Sequence, residues 1–420
     1  MDKLIFCNLD LLKSKLDLED YEEADYSGYD ENLIKAIRDD FKDMLLKLAK
    51  EDENEIIFYS RKVDVLNSAR KHYEGEKAFK FAKRKNVEDF VKQNSDKNNN
   101  FVFVGAKNQD FIAAVQARAL FIVPCWLPLE DRTVKYGVHV ENPLQFYKFI
   151  RVLNNQNVWY SKVKIDEKAI AYSLIDARYG WYAKNDDERE MVKNFENLLK
   201  NDMSHKYHRI LLYHFLAGMT NTMDFDDIEI FGMIPSSNCK LNQYVYEFMT
   251  HVRNLKGVGL PKQYDKKGTE IEFRNLIIRH TPKVQNHAGG RSAAERASMG
   301  AGEEFKTLMV NPDYKKRIDK LRAENRFNVC IFDDYMTHGN SFNAVRNMLE
   351  NLGANKIIFV SMGLFKKDCF QRRDYHITGD VYRGHFQYEE VRYKRVTDFE
   401  IDETAKDEVA ELRGIFALEE

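Results

Sequence analysis

The sequence predicts an α/β protein made of two Rossmann-like domains, each with a parallel sheet and crossover helices. Three observations lead to this fold class. Short apolar runs alternate with helically spaced segments up to Cys125, and a second alternation of the same kind begins near Ile228. The 420 residues, 44% of them apolar and 31% charged, have a globular composition and are enough for two hydrophobic cores.

In the first half, the pattern predicts four strands and three helices. Each strand is a run of apolar residues, and each helix carries apolar residues at helical spacing. The predicted strands are 4–7, 56–59, 101–104 and 120–123, and the predicted helices are 33–48, 63–73 and 111–119. This alternation indicates a parallel sheet, because parallel neighbours need long crossover connections.

The second half repeats the alternation around one long interruption. The predicted strands are 228–234, 276–278, 329–332 and 356–361, and the predicted helices are 241–255 and 341–352. Segment 280–311 has no strand periodicity and is longer than ordinary connections, which favours a functional loop. We therefore expect a first domain at 1–141, a helical and aromatic bridge at 142–204, a second domain at 205–400 and a charged C-terminal tail at 401–420.

Charge and cysteine usage restrict the partners and the compartment. The net charge of −2 provides no general attraction to nucleic acid or anionic lipid, although local basic clusters at 315–317 and 372–373 leave a nucleic-acid contact open. No apolar run approaches the roughly 20 residues of a membrane span, so no membrane partner is expected. Five scattered cysteines without C-x-x-C spacing, behind a start without a secretory segment, predict a cytoplasmic protein with reduced thiols.

The most informative motif is Asp-Asp-Tyr-Met-Thr-His-Gly-Asn-Ser at 333–341, between a predicted strand and a predicted helix. Strand, tight polar turn and helix present backbone N–H groups to a phosphate at the helix N-terminus. The carboxylates of Asp333 and Asp334 add acceptors for sugar hydroxyls or for a magnesium shell. An Asp-Asp pair alone is more typical of a solvated turn, but the Thr-x-Gly-x-Ser run behind it favours a site for a phosphorylated sugar.

This motif resembles the phosphoribosyl diphosphate (PRPP) site of type I phosphoribosyltransferases. Asp333 and Asp334 match the acid pair of that family, and His338 replaces one of its small loop residues. The resemblance implies that the acid pair holds the ribose hydroxyls and, indirectly, Mg²⁺ as cofactor. It also implies a phosphate loop made of Thr337, His338, Gly339, Asn340 and Ser341.

Two upstream segments extend the resemblance to residues 205–395. Segment 279–300, with Arg279, Thr281, Gln285 and Glu295-Arg296, resembles the hood loop of ComF-type phosphoribosyltransferases. Pro235-Ser236-Ser237-Asn238 falls where that fold has its pyrophosphate loop. In this family the hood closes over the substrate and excludes water.

The resemblance also implies how the departing pyrophosphate is stabilised. Backbone N–H groups of Ser236 and Ser237 and cations from the hood are the candidates, because negative charge grows on the leaving group. The candidate cations are Lys283, Arg291 and Arg296, with Arg279 as a further phosphate-binding residue. For the cations, an ordinary charged loop remains the alternative.

The first half resembles a haloacid dehalogenase (HAD) domain in which catalytic positions carry other residues. Those phosphatases begin with a strand that ends in Asp-x-Asp, and here Asn8 stands in the nucleophile position before Asp10. An amide cannot form an aspartyl-phosphate. Ser60 matches the hydroxyl of the second motif, Lys83 or Lys85 is a weak match for the third-motif lysine, and Ala106 replaces a metal-binding acid ahead of Asp110.

The resemblance therefore implies a silent HAD-like module, which would bind a phosphorylated ligand, a partner protein or the other domain. A generic α/β domain without any ligand remains the alternative. Asn8 and Ala106 disfavour an active HAD phosphatase.

Two functions remain open for the second half. The first is an enzyme that uses PRPP or a ribonucleotide and transfers or cleaves at the ribose N-glycosidic centre; the acceptor base is unknown. The second is a sensor that binds PRPP or a nucleotide without turnover. Family-level analogy suggests an accessory role in a stress-response or phage-defence system. Four aromatic residues either stack on a base or pack as core: Tyr375, Tyr382, Phe386 and Tyr388.

Overall fold

The fold is described from a computed structural model. The residues that the structure describes are 3–12, 31–156, 159–178, 186–201, 206–260, 274–283, 300–365 and 370–416.

The first sheet, sheet A, contains six strands, all parallel, in the order β3-β2-β1-β4-β5-β6. Its strands are β1 (Leu4–Asn8), β2 (Glu55–Ser60), β3 (Phe79–Lys83), β4 (Phe101–Val104), β5 (Leu120–Pro124) and β6 (Val138–Val140). The helices of this half are α1 (Glu31–Glu51), α2 (Val63–His72), α3 (Arg84–Gln93), α4 (Asn108–Gln116), α5 (Asp131–Lys135) and α6 (Pro143–Asn155). This strand order is Rossmann-like, and the order of connection reverses between β1 and β4.

The second half contains sheet B and two small antiparallel sheets. Its strands are β7 (Ser161–Lys164), β8 (Ala169–Asp176), β9 (Ile230–Met233), β10 (Ile277–Arg279), β11 (Leu308–Val310), β12 (Asn328–Met336), β13 (Lys356–Leu364), β14 (Phe370–Thr378), β15 (Gln387–Val396) and β16 (Phe399–Ile401). The helices are α7 (Asp186–Asn201), α8 (Lys206–Thr220), α9 (Gln243–Leu255), α10 (Gly302–Phe305), α11 (Lys315–Ala323), α12 (Asn340–Asn351) and α13 (Ala405–Phe416).

Sheet B has the order β16-β7-β8-β13-β12-β9. The four strands β8, β13, β12 and β9 are parallel. At the β8 edge, β7 is antiparallel to β8, and β16 is antiparallel to β7. Strands β10 and β11 form one two-stranded sheet, and β14 and β15 form another. The mixed α/β class expected from the sequence is confirmed, with a parallel, Rossmann-like sheet A and a mixed sheet B.

All the strands and helices predicted in the first half are present, but two strands of sheet A were missed. Strand β3 has the sequence Phe-Lys-Phe-Ala-Lys, in which lysines interrupt the apolar run. Strand β6 has three residues, too few for a periodicity to be recognised.

The segment 142–204, which we expected to be a helical bridge, also contains strands β7 and β8 of sheet B. Strand β8 is buried along nearly its whole length, as a strand covered on both faces must be, so it lacks polar alternation. The expected C-terminal tail contains helix α13, whose Val409, Leu412 and Ile415 are buried while acidic residues lie between them. Strand β11 likewise lies inside the segment that we predicted to lack strands.

The two halves share one hydrophobic core, at whose centre lies α8. Residues 210–220 of α8 are all buried, as expected of a helix covered on every side. The Phe215 ring stacks on Trp159 at 4.9 Å between centroids and meets Phe332 of sheet B at 5.7 Å. The same cluster of buried residues includes Phe6 and Phe103 of sheet A. A second cluster covers the opposite face of sheet B, together with α12 and the β10–β11 sheet.

Four cysteines lie among the described residues, and all four are free thiols. Cys7 and Cys330 are buried, and Cys125 and Cys239 are half-buried. Among the helices that the structure describes, none has the length and apolar character of a membrane span.

Candidate functional site at the carboxyl edge of sheet B

Two of the predicted phosphate-binding segments lie side by side at one edge of sheet B. Strands β9 and β12 are parallel neighbours, and Phe332 pairs with Met233. Their carboxyl ends therefore lead to the same edge, where loop 235–238 follows β9 and the motif 333–341 completes β12. In open α/β sheets, ligands bind in the crevice outside such carboxyl ends.

The acid pair lies inside β12 rather than after it, because the strand continues to Met336. Asp333 and Asp334 are half-buried, and each accepts a hydrogen bond from the backbone N–H of the next residue, at 2.9 and 2.6 Å. Burial raises the pKa of Asp333 well above its usual range, and the adjacent charge of Asp334 raises it further. Two neighbouring carboxylates repel each other, so a bound cation or hydroxyl donors would stabilise this pair.

The predicted phosphate loop has the backbone that the motif requires. Gly339 caps α12 in the left-handed conformation, with φ of 77°, and a Cβ at this position would lie 2.2 Å from the Phe370 ring. Only glycine fits there. The helix then begins at Asn340, so the N–H groups of Asn340, Ser341 and Phe342 lack acceptors within the helix. The first turn of α12 is therefore an electropositive backbone end beside the acid pair.

A buried carboxylate that was not predicted from the sequence, Glu304 on α10, connects Arg279 and Lys283 to this loop. It accepts from Ser341 Oγ at 2.9 Å, from Lys283 Nζ at 2.5 Å and from Arg279 Nη2 at 2.9 Å. Its side chain is 3% exposed. Burial raises the pKa of Glu304, but Lys283 and Arg279 together outweigh burial and hold that pKa below its usual value. An acidic residue within a segment of predicted cations was the signal available in the sequence.

The predicted pyrophosphate loop touches the same cations through its carbonyl groups. Pro235 O accepts from Arg279 Nε and Nη2 at 3.2 Å, and Ser237 O accepts from the Lys283 N–H at 2.8 Å. The N–H of Ser236, which we expected to face a ligand, donates instead to Lys240 O at 2.9 Å. This tight turn uses the Ser236 amide internally, so the expected donor role of that amide is wrong for this conformation.

The remaining hood candidates fall outside the described residues. Arg291 and Arg296 lie in the segment 284–299, and so does the Glu295 of the resemblance. Of the predicted cations, the structure brings Arg279 and Lys283 to Glu304.

Three of the four aromatic residues pack against α10 and the residue that precedes it. Phe305 of α10 contacts Tyr375 and Tyr388 at centroid distances of 4.9 and 4.8 Å, and Phe386 at 5.8 Å. Tyr375 OH accepts from the Ala301 N–H, and Tyr388 OH donates to Gly302 O. Of the two alternatives, packing rather than base stacking describes these three side chains.

A second polar cluster lies at the carboxyl edge of sheet A, where β1 and β4 are neighbours. Its centre is Asp110, which is fully buried on α4. The Asn8 amide donates to both Asp110 oxygens, at 2.9 and 2.8 Å, and Tyr59 OH donates at 2.9 Å. Arg84 completes the set with an ion pair of 2.7 Å. Asn8, Asp10 and Asp110, all predicted for a degenerate site, therefore meet, since Asp10 N–H donates to Asn8 Oδ1.

The cation of this cluster is Arg84, not the lysine that we expected. Lys83 and Lys85 are exposed, whereas Arg84 begins α3 with its side chain turned into the cluster and its guanidinium 5.2 Å from the Tyr59 ring centroid. Helical geometry explains the difference, because consecutive residues of a helix point in different directions. Ser60 accepts only a local bond from the Lys62 N–H, at 3.2 Å.

The charges of the sheet A cluster compensate each other. Arg84 faces Asp110, and Lys107 Nζ lies 2.8 Å from Asp10 Oδ2. Burial raises the pKa of Asp110, although Arg84, Asn8 and Tyr59 all oppose that shift. Cations of the protein itself thus occupy positions beside both carboxylates, and this arrangement can hold the strand ends together without a ligand.

A Mg²⁺ ion at the carboxyl edge of sheet A or sheet B would need oxygen ligands from the protein. No group of three or more His, Cys, Asp or Glu side chains suited to a metal ion occurs in the part of the chain that the structure describes. Asp333 and Asp334 still fit Mg²⁺ as two hard oxygen donors, because this ion keeps several waters and is commonly shared with substrate phosphates.

No family model, curated protein or solved structure matches the chain significantly. The functional interpretation therefore depends on the geometry of the chain itself.

Proposed function

We propose that the second half binds PRPP, or a related ribonucleotide, at the carboxyl edge of sheet B and acts as a Mg²⁺-dependent phosphoribosyltransferase-type enzyme. The single observation that supports this most is the junction at Glu304. Through this carboxylate, two hood cations meet Ser341 of the phosphate loop, directly beside the acid pair. Two segments far apart in sequence would thus combine at one sheet edge: 333–341 would supply the phosphate donors and the diol acceptors, and 279–283 would supply the cations.

Each part would have a separate role in the reaction. Asp333 and Asp334 would accept hydrogen bonds from the ribose hydroxyls and orient the sugar. The N–H groups at the start of α12 would hold the 5-phosphate, which suits the positive end of a helix. Lys283 and Arg279 would stabilise the charge that develops on the pyrophosphate. Bound Mg²⁺ would neutralise part of that charge.

The direct test is release of pyrophosphate from PRPP in the presence of Mg²⁺ and a panel of bases. We expect release by the wild-type protein, and its loss in the double variant Asp333→Asn/Asp334→Asn. The matched control Asp313→Asn/Asp319→Asn removes two exposed acids from neighbouring segments. Wild-type protein that neither binds nor turns over PRPP would refute the proposal.

A second candidate, a sensor that holds PRPP without turnover, is favoured by two observations. Glu304 already neutralises Lys283 and Arg279, and the Ser236 amide is engaged by Lys240. Both features reduce the positive charge and the N–H donors that could stabilise a departing pyrophosphate. Calorimetric binding of PRPP without pyrophosphate release from any base would favour the sensor. In either case, a role in a stress-response or phage-defence system is a proposal by analogy.

A further inference from the structure

Two carbonyl groups in the phosphate loop, residues 337–341, are held by the protein itself. The Gln371 N–H, at the start of β14, donates to His338 O at 3.0 Å. Gly339 O accepts from the side-chain amide of Asn343 at 2.9 Å, and from the backbone N–H of the same residue at 2.8 Å. Because Asn343 belongs to α12, this helix and β14 together fix the backbone of the loop.

Asn343 connects the loop to β14 through one fully buried side chain. Besides Gly339 O, its Nδ2 donates to Gln371 O at 2.5 Å, and its Oδ1 accepts from the Arg373 N–H at 3.1 Å. Each partner is a backbone group that can only donate or only accept, so the orientation of the amide is fixed. Three hydrogen bonds of this side chain therefore hold the loop in one position against β14.

The direction of the Gly339 N–H follows from these carbonyl contacts. Across a trans peptide, the C=O and the N–H point in opposite directions. Because the His338 carbonyl faces Gln371, the Gly339 N–H points away from β14. Gly339 is buried, yet its N–H donates to none of the residues that the structure describes. Buried N–H groups are almost always paired, so this donor is suited to a ligand.

The conformation of Gly339 places this donor at the start of α12. A left-handed residue followed by helical residues directs successive N–H groups into one concavity, which binds anions. Gly339 has a φ of 77°, and α12 begins at the next residue. Rotation of the peptide between His338 and Gly339 would turn the N–H away and bring a carbonyl oxygen toward the anion. The contacts that prevent this rotation therefore decide whether the loop binds phosphate.

We propose that Asn343 is a positioning residue for the phosphate group of the ligand. It fixes the Gly339 carbonyl directly and, through Gln371, the His338 carbonyl, and so keeps the Gly339 N–H directed at the phosphate. Asn343 contacts no ligand itself, because its side chain is fully buried and its amide is used by the backbone. The inference rests on the proposed function, since it concerns the phosphate that this loop would hold.

Asn347, one helical turn further along α12, is a matched control. Its side chain also makes three hydrogen bonds to backbone groups. It donates to Asn343 O at 2.7 Å and to Arg373 O at 2.9 Å, and it accepts from the Tyr375 N–H at 2.8 Å. None of these bonds reaches the phosphate loop. Alanine at either position should therefore destabilise the fold to a similar extent, while only Asn343→Ala changes the loop.

Calorimetric titration of the full-length protein with inorganic phosphate, and separately with PRPP, tests the proposal. Asn347→Ala should bind as the wild type does. Asn343→Ala should bind about ten-fold more weakly, the size of effect expected when one hydrogen bond to a charged group is lost. Thermal unfolding checks that both variants fold. Equal affinities in the two variants would exclude a positioning role for Asn343.

Asn343→Ser separates positioning from general stability. A serine hydroxyl in a helix donates to the carbonyl group four residues earlier, which here is Gly339 O. The bonds to β14 are lost, but the contact with the loop remains. Asn343→Ser should therefore be destabilised like Asn343→Ala and yet bind phosphate more tightly than that variant. Phosphate affinity that simply follows stability across the three variants would overturn the proposal.

Nuclear magnetic resonance observes the Gly339 amide directly. His338-Gly339 is the single His-Gly pair in the sequence, so protein labelled with ¹³C-carbonyl histidine and ¹⁵N-glycine gives one signal through that peptide bond. Phosphate should shift this signal in the wild type and in Asn347→Ala, and much less in Asn343→Ala. PRPP binding that leaves the signal unchanged would overturn this inference alone. A shift with inorganic phosphate, but no binding of PRPP, would overturn only the proposed function.

Discussion

Asp110 at the edge of sheet A and Asp333 at the edge of sheet B are both recessed carboxylates with a raised pKa, but their neighbours differ. Asp110 is surrounded by donors: an amide, a phenol and the Arg84 guanidinium. Asp333 lies beside a second carboxylate, Asp334. A carboxylate surrounded by donors stabilises the fold, whereas two adjacent carboxylates destabilise it until a ligand arrives. The comparison separates a structural cluster from a candidate site, even though burial shifts both pKa values in the same direction.

The largest effect should come from Asp110→Asn. The substitution leaves the buried Arg84 without its counter-ion, and breaking one partner of a buried pair costs about 3–5 kcal/mol of unfolding free energy. Urea denaturation followed by circular dichroism measures the loss. The exposed Asp89→Asn, in the same half, is the control and should leave the midpoint unchanged. A variant as stable as the wild type would show that the sheet A cluster is not structural.

Glu304→Gln should have the next largest effect. It should both destabilise the fold and change the affinity for a ligand. The unfolding free energy should fall by about 2–3 kcal/mol, since the glutamine can still accept a hydrogen bond but the charge-assisted bond from the buried Arg279 is lost. Because Lys283 and Arg279 are released from a competing anion, the affinity for inorganic pyrophosphate should rise several-fold in calorimetry. Lys306→Gln, which removes an exposed cation near α10, is the control. Lower pyrophosphate affinity in Glu304→Gln would make Glu304 a positioning residue rather than a competing anion.

Asp333→Asn should stabilise the protein, in contrast to Asp110→Asn. Removing one of two adjacent carboxylates should raise the unfolding free energy by about 1–2 kcal/mol at neutral pH, while PRPP binding is lost.

The pH dependence of that gain has a definite sign. The unfolded chain releases the Asp333 proton at about pH 3.9, before the folded protein does. Ionised Asp333 therefore lowers wild-type stability progressively from that pH up to its raised folded pKa. The advantage of Asp333→Asn should vanish below about pH 3.9 and reach a plateau at higher pH. A variant that is less stable than the wild type at neutral pH would contradict the interpretation of the acid pair.

The smallest effect should come from Ser341→Ala. It removes one hydrogen bond to Glu304, which contributes about 1 kcal/mol. The backbone N–H groups of the loop remain, so PRPP affinity should fall only a few-fold. Ser95→Ala, an exposed serine, serves as the control for thermal unfolding. A complete loss of PRPP binding would indicate that the hydroxyl, rather than the backbone, holds the phosphate.

Most elements could be predicted from the sequence, because apolar periodicity is a local property. The helix at 241–255 and the strand at 356–361 were found close to their observed bounds. The failures have specific reasons. Strand β8 is buried on both faces and so shows no alternation, and β3 has lysines inside its apolar run. Helix α13 looked like a tail because its charged residues outnumber its buried apolar ones.

The candidate site was predictable in its local parts and not in its long-range contacts. The strand, Gly339 and the start of α12 follow from residues within a single turn. Glu304 was missed because its partners, Ser341 and Arg279, are 37 and 25 residues away, so its acidic character alone did not show what it contacts. Arg84 was missed for a similar reason, since only the packing of α3 beside β4 shows which of three consecutive basic residues turns inward.

The sequence by itself therefore determined the α/β class and the turn from β12 to α12, because strand period and the left-handed glycine depend on neighbouring residues. Tertiary structure alone decided how charges combine at the carboxyl edges of sheets A and B. The physical reason is that a buried charge or a backbone hydrogen-bonding group is satisfied by whichever side chain the fold places beside it, and this partner is distant in sequence.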